Sequence, residues 1–202
     1  MDIFPGKGGA PIFVFIHGGY WRSNDKTNYG FIAAPVIAGD GALANINYGL
    51  APETPMGDII EHARQAVIWL HGNEAAGNPP EIHIAGHSAG GHLVAELVAT
   101  DWQAYGLPAD VIRSATAISG LFDLAPLIET SINVELGLDK ESARRFSPLY
   151  RPPRTGAALT VAVGADETDE FLRQSRVYAE RCRAQGHDCD LLCLEACNHY
   201  TV

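Results

Sequence analysis

Short apolar runs alternate along the chain with amphipathic stretches of helical spacing. The runs are four or five residues long, and several show no apolar–polar alternation, which is typical of strands covered on both faces. Alternation of strands with helices predicts a mostly parallel central sheet with helices on both faces, an α/β fold. The predicted strands cover residues 12–16, 42–46, 82–85, 115–118, 159–163 and 191–194.

Three stretches between these runs predict helices. Residues 58–71 place apolar side chains on one face, and Gly72 is suited to end that helix. Residues 91–99 repeat the pattern over a shorter length. A third helix is predicted over residues 169–185, with Thr168 as its N-cap.

Length and composition predict a single domain over residues 1–202. A chain of 202 residues with 47% hydrophobic and 19% charged residues is typical of one globular domain with its own core. Residues 124–155 interrupt the strand–helix rhythm with four prolines, so we expect a lid-like insertion over one end of the sheet. A net charge of −10 argues against nucleic acid and anionic membranes as partners.

The sequence shows no membrane-spanning segment, targeting segment or cysteine motif, and these absences bear on its predicted location and cysteine chemistry. The first apolar run is far shorter than the roughly 20 residues of a spanning helix, and no basic segment precedes it, so the predicted location is cytoplasmic. All four cysteines lie near the C-terminus without a C-x-x-C pair, which indicates neither a disulfide framework nor a zinc site. The sequence leaves a disulfide between Cys182 and Cys189 as an alternative.

The most informative motif is G-H-S-A-G at residues 86–90, between a predicted strand and a predicted helix. It fits the G-x-S-x-G nucleophile elbow, in which a sharp turn exposes a serine at a helix N-terminus. The turn needs small residues on both sides because neighbouring segments approach closely. Ser88 is therefore the predicted nucleophile.

A serine nucleophile requires a histidine base and an acid that orients it. His199 follows the last predicted strand, where a loop can bring an imidazole back over the sheet. Asp166 and Glu167 compete as the acid just after the preceding strand, with Glu167 favoured by its distance from the strand-ending glycine, and Asp123 is a weaker third candidate. The order serine, acid, histidine is that of α/β hydrolases. No metal-binding spacing such as H-E-x-x-H is present, so no metal is predicted.

The loop after the first long strand carries a glycine pair followed by two aromatic residues. Gly18 and Gly19 allow this loop to approach a substrate closely. Backbone N–H groups of Gly19 and Tyr20, together with Ala89 after the nucleophile, are the predicted oxyanion-hole donors. Tyr20 and Trp21 are expected to form an aromatic wall.

Taken together, the motifs resemble the kynurenine formamidase branch of the α/β hydrolases, near the carboxylesterases of the hormone-sensitive lipase type. The resemblance implies a triad of Ser88, Glu167 and His199, an aryl formamide substrate such as N-formylkynurenine, and no cofactor. It also implies that Phe122 joins the two loop aromatics against the substrate ring. The motifs are H-G-G-Y-W at 17–21, N-Y-G-L-A-P at 47–52, G-H-S-A-G-G-H-L at 86–93, S-G-L-F-D-L at 119–124, residues 167–174 and N-H at 198–199.

The chain departs from this family at both ends. Family members carry additional strands before the oxyanion strand and a helix after the histidine, so we expect a piece of a longer protein. An uncovered sheet edge invites self-association, so the sequence leaves a homodimer open as one assembly without fixing the oligomeric state. Two further functions stay open: a carboxylesterase for short-chain or aryl esters, and a catalytically silent hydrolase fold that binds a small molecule.

Overall fold

The computed structural model describes residues 1–73 and 81–202, and within these ranges seven strands form one sheet. The order across the sheet is β1-β3-β2-β4-β5-β6-β7, and every neighbouring pair is parallel except β1 with β3. This confirms the predicted α/β fold with a mostly parallel sheet. The strands are β1 (Asp2–Phe4), β2 (Ile12–Ile16), β3 (Ala42–Ile46), β4 (Ile82–His87), β5 (Ile112–Ile118), β6 (Ala158–Gly164) and β7 (Cys189–Leu194).

The sequence pattern did not predict β1, so one short strand precedes β2 where none was expected. It has three residues and pairs antiparallel with β3 at the sheet edge. Three residues are too few to show a period-2 pattern, and only the pairing with β3 defines this strand.

The three predicted helices are confirmed, with ends that differ by at most two residues. They are α2 (Met56–Gly72), α3 (Ala89–Val98) and α6 (Asp169–Ala184). Thr168 occupies the N-cap position of α6 in extended conformation, but its side chain makes no capping hydrogen bond. Shorter helices without a sequence prediction are α1 (Ala33–Ala38), α4 (Asn133–Leu136) and α5 (Lys140–Arg145).

Helix α3 lies at the centre of the structure, and all ten of its residues are buried. It packs on β4, β5 and β2 and is covered by α2. Gly90 permits this close packing, because a Cβ atom at that position would lie 2.0 Å from the carbonyl oxygen of Ile16. Parallel strands end at the same edge of the sheet, so the loops after β2, β4, β5, β6 and β7 meet near the start of α3.

Residues 124–155 form a packed layer of short helices. Leu124, Leu127, Leu138 and Leu149 are buried in the hydrophobic core. In the part of the chain that the structure describes, no helix is long and apolar enough to cross a membrane.

Candidate active site

Ser88 lies in a sharp turn between β4 and α3. Its backbone has φ 57° and ψ −116°, a conformation that is costly for a residue with a side chain. Hydrogen bonding holds the turn, since the Ser88 N–H donates to the Ile118 carbonyl at 2.8 Å. A Cβ atom at Gly86 would lie 2.4 Å from the Gly90 carbonyl oxygen, so only glycine fits there. The turn has the geometry of a nucleophile elbow.

His199 and Glu167 form a close pair on the loops after β7 and β6. The His199 Nδ1 atom lies 2.7 Å from Glu167 Oε2. The Glu167 side chain is fully buried, whereas the His199 side chain is one-fifth exposed. The other carboxylate oxygen, Oε1, accepts hydrogen bonds from the Gly164 N–H at 2.8 Å and the Ser119 hydroxyl at 2.5 Å.

A glycine allows the His199 loop to cross the end of β6. A Cβ atom at Gly164 would lie 2.2 Å from the Cys197 carbonyl oxygen. That same carbonyl accepts a hydrogen bond from the Asp166 N–H at 2.9 Å. The two loops are therefore joined directly beneath the His199–Glu167 pair.

The structure distinguishes between the three carboxylates considered from the sequence. Only Glu167 contacts His199. Asp166 is exposed, and Asp123 lies 3.6 Å from the Arg173 guanidinium.

The loop after β2 has an unusual backbone over three consecutive residues. The φ angles of Gly19, Tyr20 and Trp21 are 111°, 49° and 57°, all in the left-handed half of conformational space. The Tyr48 hydroxyl supports the start of this loop by donating to the His17 carbonyl at 2.9 Å. Ala89, the third predicted donor, is the first residue of α3, where a backbone N–H has no partner within the helix.

A cavity of about 640 Å³ contains Ser88, Glu167 and His199 in its lining. Its wall also includes Gly18, Gly19 and the aromatic residues Tyr20, Tyr29, Phe171 and Tyr200. The predicted nucleophile, a glycine-rich loop and an aromatic wall thus meet in one place.

A family model described as the alpha/beta hydrolase fold matches residues 13–202. The chain belongs to this family. It is 28% identical over 198 residues to the kynurenine formamidase of Danio rerio, covering 96% of this chain and 67% of that one. It is also 28% identical to the carboxylic ester hydrolase LipN of Mycobacterium tuberculosis, over 96% of this chain and 58% of the relative. Among solved structures, a protein from Silicibacter sp. TM1040 that is provisionally named a thioesterase is 35% identical with a TM-score of 0.84, covering 98% of this chain and 72% of that one.

Two aromatic residues that were expected to contact the substrate point instead into the core of this α/β hydrolase. Trp21 and Phe122 are fully buried, and neither lines the cavity. The left-handed backbone at Trp21 directs its indole toward His92, and the Phe122 ring stacks on Tyr178 at 4.2 Å. The expectation for these two residues is therefore corrected.

The cavity wall also differs from the prediction in the segments that build it. No residue of the segment 124–155, all of which the structure describes, lines the cavity. Tyr29, Phe171 and Tyr200 line it instead, and none was predicted to. Their signal was weak because each belongs to a different segment, and only the folded chain brings them together.

The sequence analysis did not predict the role of Ser119, which contacts the carboxylate of Glu167. It follows β5 directly, with φ 48°, and its hydroxyl holds the Glu167 carboxylate. The detectable signal was a small polar residue at the end of a strand adjacent to β6. The direction of its side chain depends on the left-handed backbone, which the sequence does not reveal.

Two further histidines support the site through neutral rings. His17 Nδ1 lies 2.8 Å from the Gly18 carbonyl, and His87 Nε2 lies 2.8 Å from the His199 carbonyl. Burial lowers the pKa of both His17 and His87 below the ordinary value for histidine. Both rings therefore stay neutral near pH 7 and can donate to these carbonyls. Among the described residues, no three His, Cys, Asp or Glu side chains are grouped to hold a metal ion.

Proposed function

We propose that this chain is a serine hydrolase that cleaves an aryl formamide such as N-formylkynurenine to formate and the free aryl amine. The observation that carries the proposal is the His199–Glu167 pair in the same cavity as Ser88. Hydrolases of this family work by covalent catalysis, in which the serine attacks a carbonyl carbon.

The contact between Glu167 and His199 determines the tautomer that the reaction needs. An ionised carboxylate only accepts hydrogen bonds, so the His199 Nδ1 atom carries the proton and donates it to Oε2. The Nε2 atom is then unprotonated and acts as the general base toward the Ser88 hydroxyl. Glu167 orients the ring and stabilises the imidazolium that forms.

The reaction proceeds in two steps with balanced proton transfers. Ser88 Oγ attacks the formyl carbon while His199 takes its proton, and the tetrahedral intermediate expels the aryl amine, which receives that proton. Water then attacks the formyl-serine ester with His199 as base, releasing formate and restoring the Ser88 hydroxyl.

Backbone N–H groups stabilise the negative charge that develops on the carbonyl oxygen. Gly19 and Tyr20 line the cavity beside Ser88, and Ala89 begins α3, where the helix dipole also favours an anion. Removing one donor from such a hole typically costs about 3 to 4 kcal/mol of activation free energy.

Two observations favour a formamide with an aromatic leaving group. The aromatic side chains of Tyr20, Tyr29, Phe171 and Tyr200 surround the cavity and offer stacking surfaces to an aryl ring. The kynurenine formamidase of Danio rerio matches nearly the whole chain.

Ester hydrolysis is the second candidate function. The Silicibacter sp. TM1040 protein, provisionally named a thioesterase, is 35% identical to this chain against 28% for the Danio rerio formamidase, and LipN is named a carboxylic ester hydrolase. The chain spans 67% of the length of the Danio rerio formamidase and 58% of that of LipN. The activity of the whole protein is therefore itself part of what we propose.

The test compares kcat/KM for N-formyl-L-kynurenine with that for p-nitrophenyl acetate, using wild-type protein and Ser88→Ala. We expect formamide turnover in the usual enzymatic range of about 10⁴ to 10⁸ M⁻¹s⁻¹, and its loss in the variant. Rapid ester hydrolysis without formamide turnover would select the esterase. Folded wild-type protein that turns over neither substrate and resists fluorophosphonate labelling would favour a silent, ligand-binding hydrolase fold.

A further inference from the structure

The loop that carries the predicted oxyanion donors is tied to the nucleophile helix by one buried contact. The Trp21 indole N–H donates to His92 Nδ1 at 3.2 Å, and the two rings meet edge to face with centroids 4.8 Å apart. Trp21 directly follows Tyr20, and His92 lies one turn after Ser88 in α3, where its N–H donates to the Ser88 carbonyl at 3.1 Å. The contact therefore joins the two halves of the oxyanion hole.

We propose that Trp21 and His92 are positioning residues that set the distance between the oxyanion loop and Ser88. The inference rests on the proposed function. Neither residue lines the cavity, so both act through the backbone that carries them.

The loop needs an external support because its own backbone conformation is unfavourable. Left-handed φ angles at Tyr20 and Trp21 are unfavourable for residues with a Cβ atom. Such a conformation persists only where surrounding contacts enforce it. Besides the indole hydrogen bond, the Trp21 carbonyl accepts from the Ala51 N–H at 2.8 Å, so the residue is held on two sides.

His92 is suited to this role because its hydrogen bonds define one tautomer. The Trp21 indole can only donate, so Nδ1 is the acceptor and Nε2 carries the proton. Nε2 lies 2.8 Å from the Phe146 carbonyl, closer than the 3.7 Å to the Glu96 carboxylate, and donates to that carbonyl. Burial lowers the pKa of His92 to about 3, so the ring stays neutral and does no proton chemistry at working pH.

The test removes the indole N–H while keeping an aromatic ring, in Trp21→Phe. The matched control is Trp102→Phe, because Trp102 is equally buried and donates at 3.1 Å to the Leu97 carbonyl, on the far end of α3. We expect kcat to fall 10- to 100-fold in Trp21→Phe with KM changed less than threefold, while Trp102→Phe keeps the wild-type kcat.

A second readout separates positioning from general destabilisation. Phenylboronic acid forms a tetrahedral adduct with an activated serine, and the oxyanion donors hold that adduct. Its inhibition constant should rise in Trp21→Phe by the same factor as kcat/KM falls. A variant that is merely less stable would keep the wild-type inhibition constant at temperatures well below its melting point.

The His92 position supplies an independent comparison if Trp21→Phe does not fold. His92→Asn retains an acceptor near the position of Nδ1, whereas His92→Leu has none. We therefore expect His92→Asn to keep kcat within fivefold of wild type. His92→Leu should lose as much kcat as Trp21→Phe. Equal kcat in folded His92→Asn and His92→Leu, or unchanged kcat in Trp21→Phe, would overturn the inference. Inactive wild-type protein would overturn the proposed function itself.

Discussion

The substitution Glu167→Gln tests the proposed acid through the hydrogen bonds that surround it. In the native structure, Oε1 accepts from the Gly164 N–H and the Ser119 hydroxyl, while Oε2 faces His199 Nδ1. A glutamine has one carbonyl oxygen and one NH₂ group. The Gly164 N–H can only donate, so it holds the amide oxygen in the Oε1 position and turns the NH₂ group toward His199.

An NH₂ group facing Nδ1 reverses the histidine tautomer. Nδ1 must then accept, so the proton moves to Nε2, and the ring can no longer take a proton from Ser88. The equivalent acid-to-amide change in a serine protease triad lowers kcat about 10⁴-fold through the wrong tautomer. We expect kcat/KM to fall about 10³- to 10⁴-fold, which corresponds to about 4 to 5 kcal/mol of activation free energy.

The assay is kcat/KM on the best substrate, together with the rate of fluorophosphonate labelling. Asp169→Asn is the matched control, since it makes the same charge change two residues along the chain, at a side chain that is exposed, does not contact His199 and does not line the cavity. The control should stay within twofold of wild type. The reasoning would be refuted if folded Glu167→Gln retained more than a tenth of wild-type kcat/KM, or if the two variants lost equal activity.

Three further predictions concern stability. Gly90→Ala places a Cβ atom 2.0 Å from a β2 carbonyl oxygen and should lower the free energy of unfolding by about 3 kcal/mol or more. Gly57→Ala is the control, because its Cβ atom meets only ordinary contacts and should not lower that free energy. Equal urea midpoints of the two variants would contradict this. Ser119→Ala removes a hydrogen bond to the buried Glu167 carboxylate and should cost about 1.5 to 3 kcal/mol in the same assay, so an unchanged midpoint would be inconsistent with the contact. The pKa of His92 is lowered to about 3 by burial, so between pH 3 and about 6.5 the unfolded chain binds a proton that the folded chain does not. Unfolding free energy should therefore rise with pH across this window in wild type, by up to about 1.4 kcal/mol per unit, and more steeply than in His92→Asn; identical slopes would count against a neutral buried ring.

Much of the fold could be predicted because its signals are local. The apolar runs of β2 and β3 and the helical periodicity of α2 and α6 lie within single segments. The structure has both strands at the predicted residues and both helices with ends shifted by at most two residues. The three-residue β1 and the short helices in 124–155 carry too few periods to be detected, and pairing or packing with distant segments decides them.

The turn around Ser88 is visible in the sequence alone, because the close backbone approach at such a turn admits only glycine at positions 86 and 90. The sequence also placed His199 after the last strand, where parallel topology brings it to the same edge of the sheet as Ser88. The contact of His199 with Glu167 rather than Asp166 depends on the folded chain, since adjacent residues in a loop point in different directions. The tertiary structure likewise turned Trp21 into the core: its left-handed backbone directs the indole away from the cavity, and backbone conformation of that kind depends on contacts with residues 71 positions away.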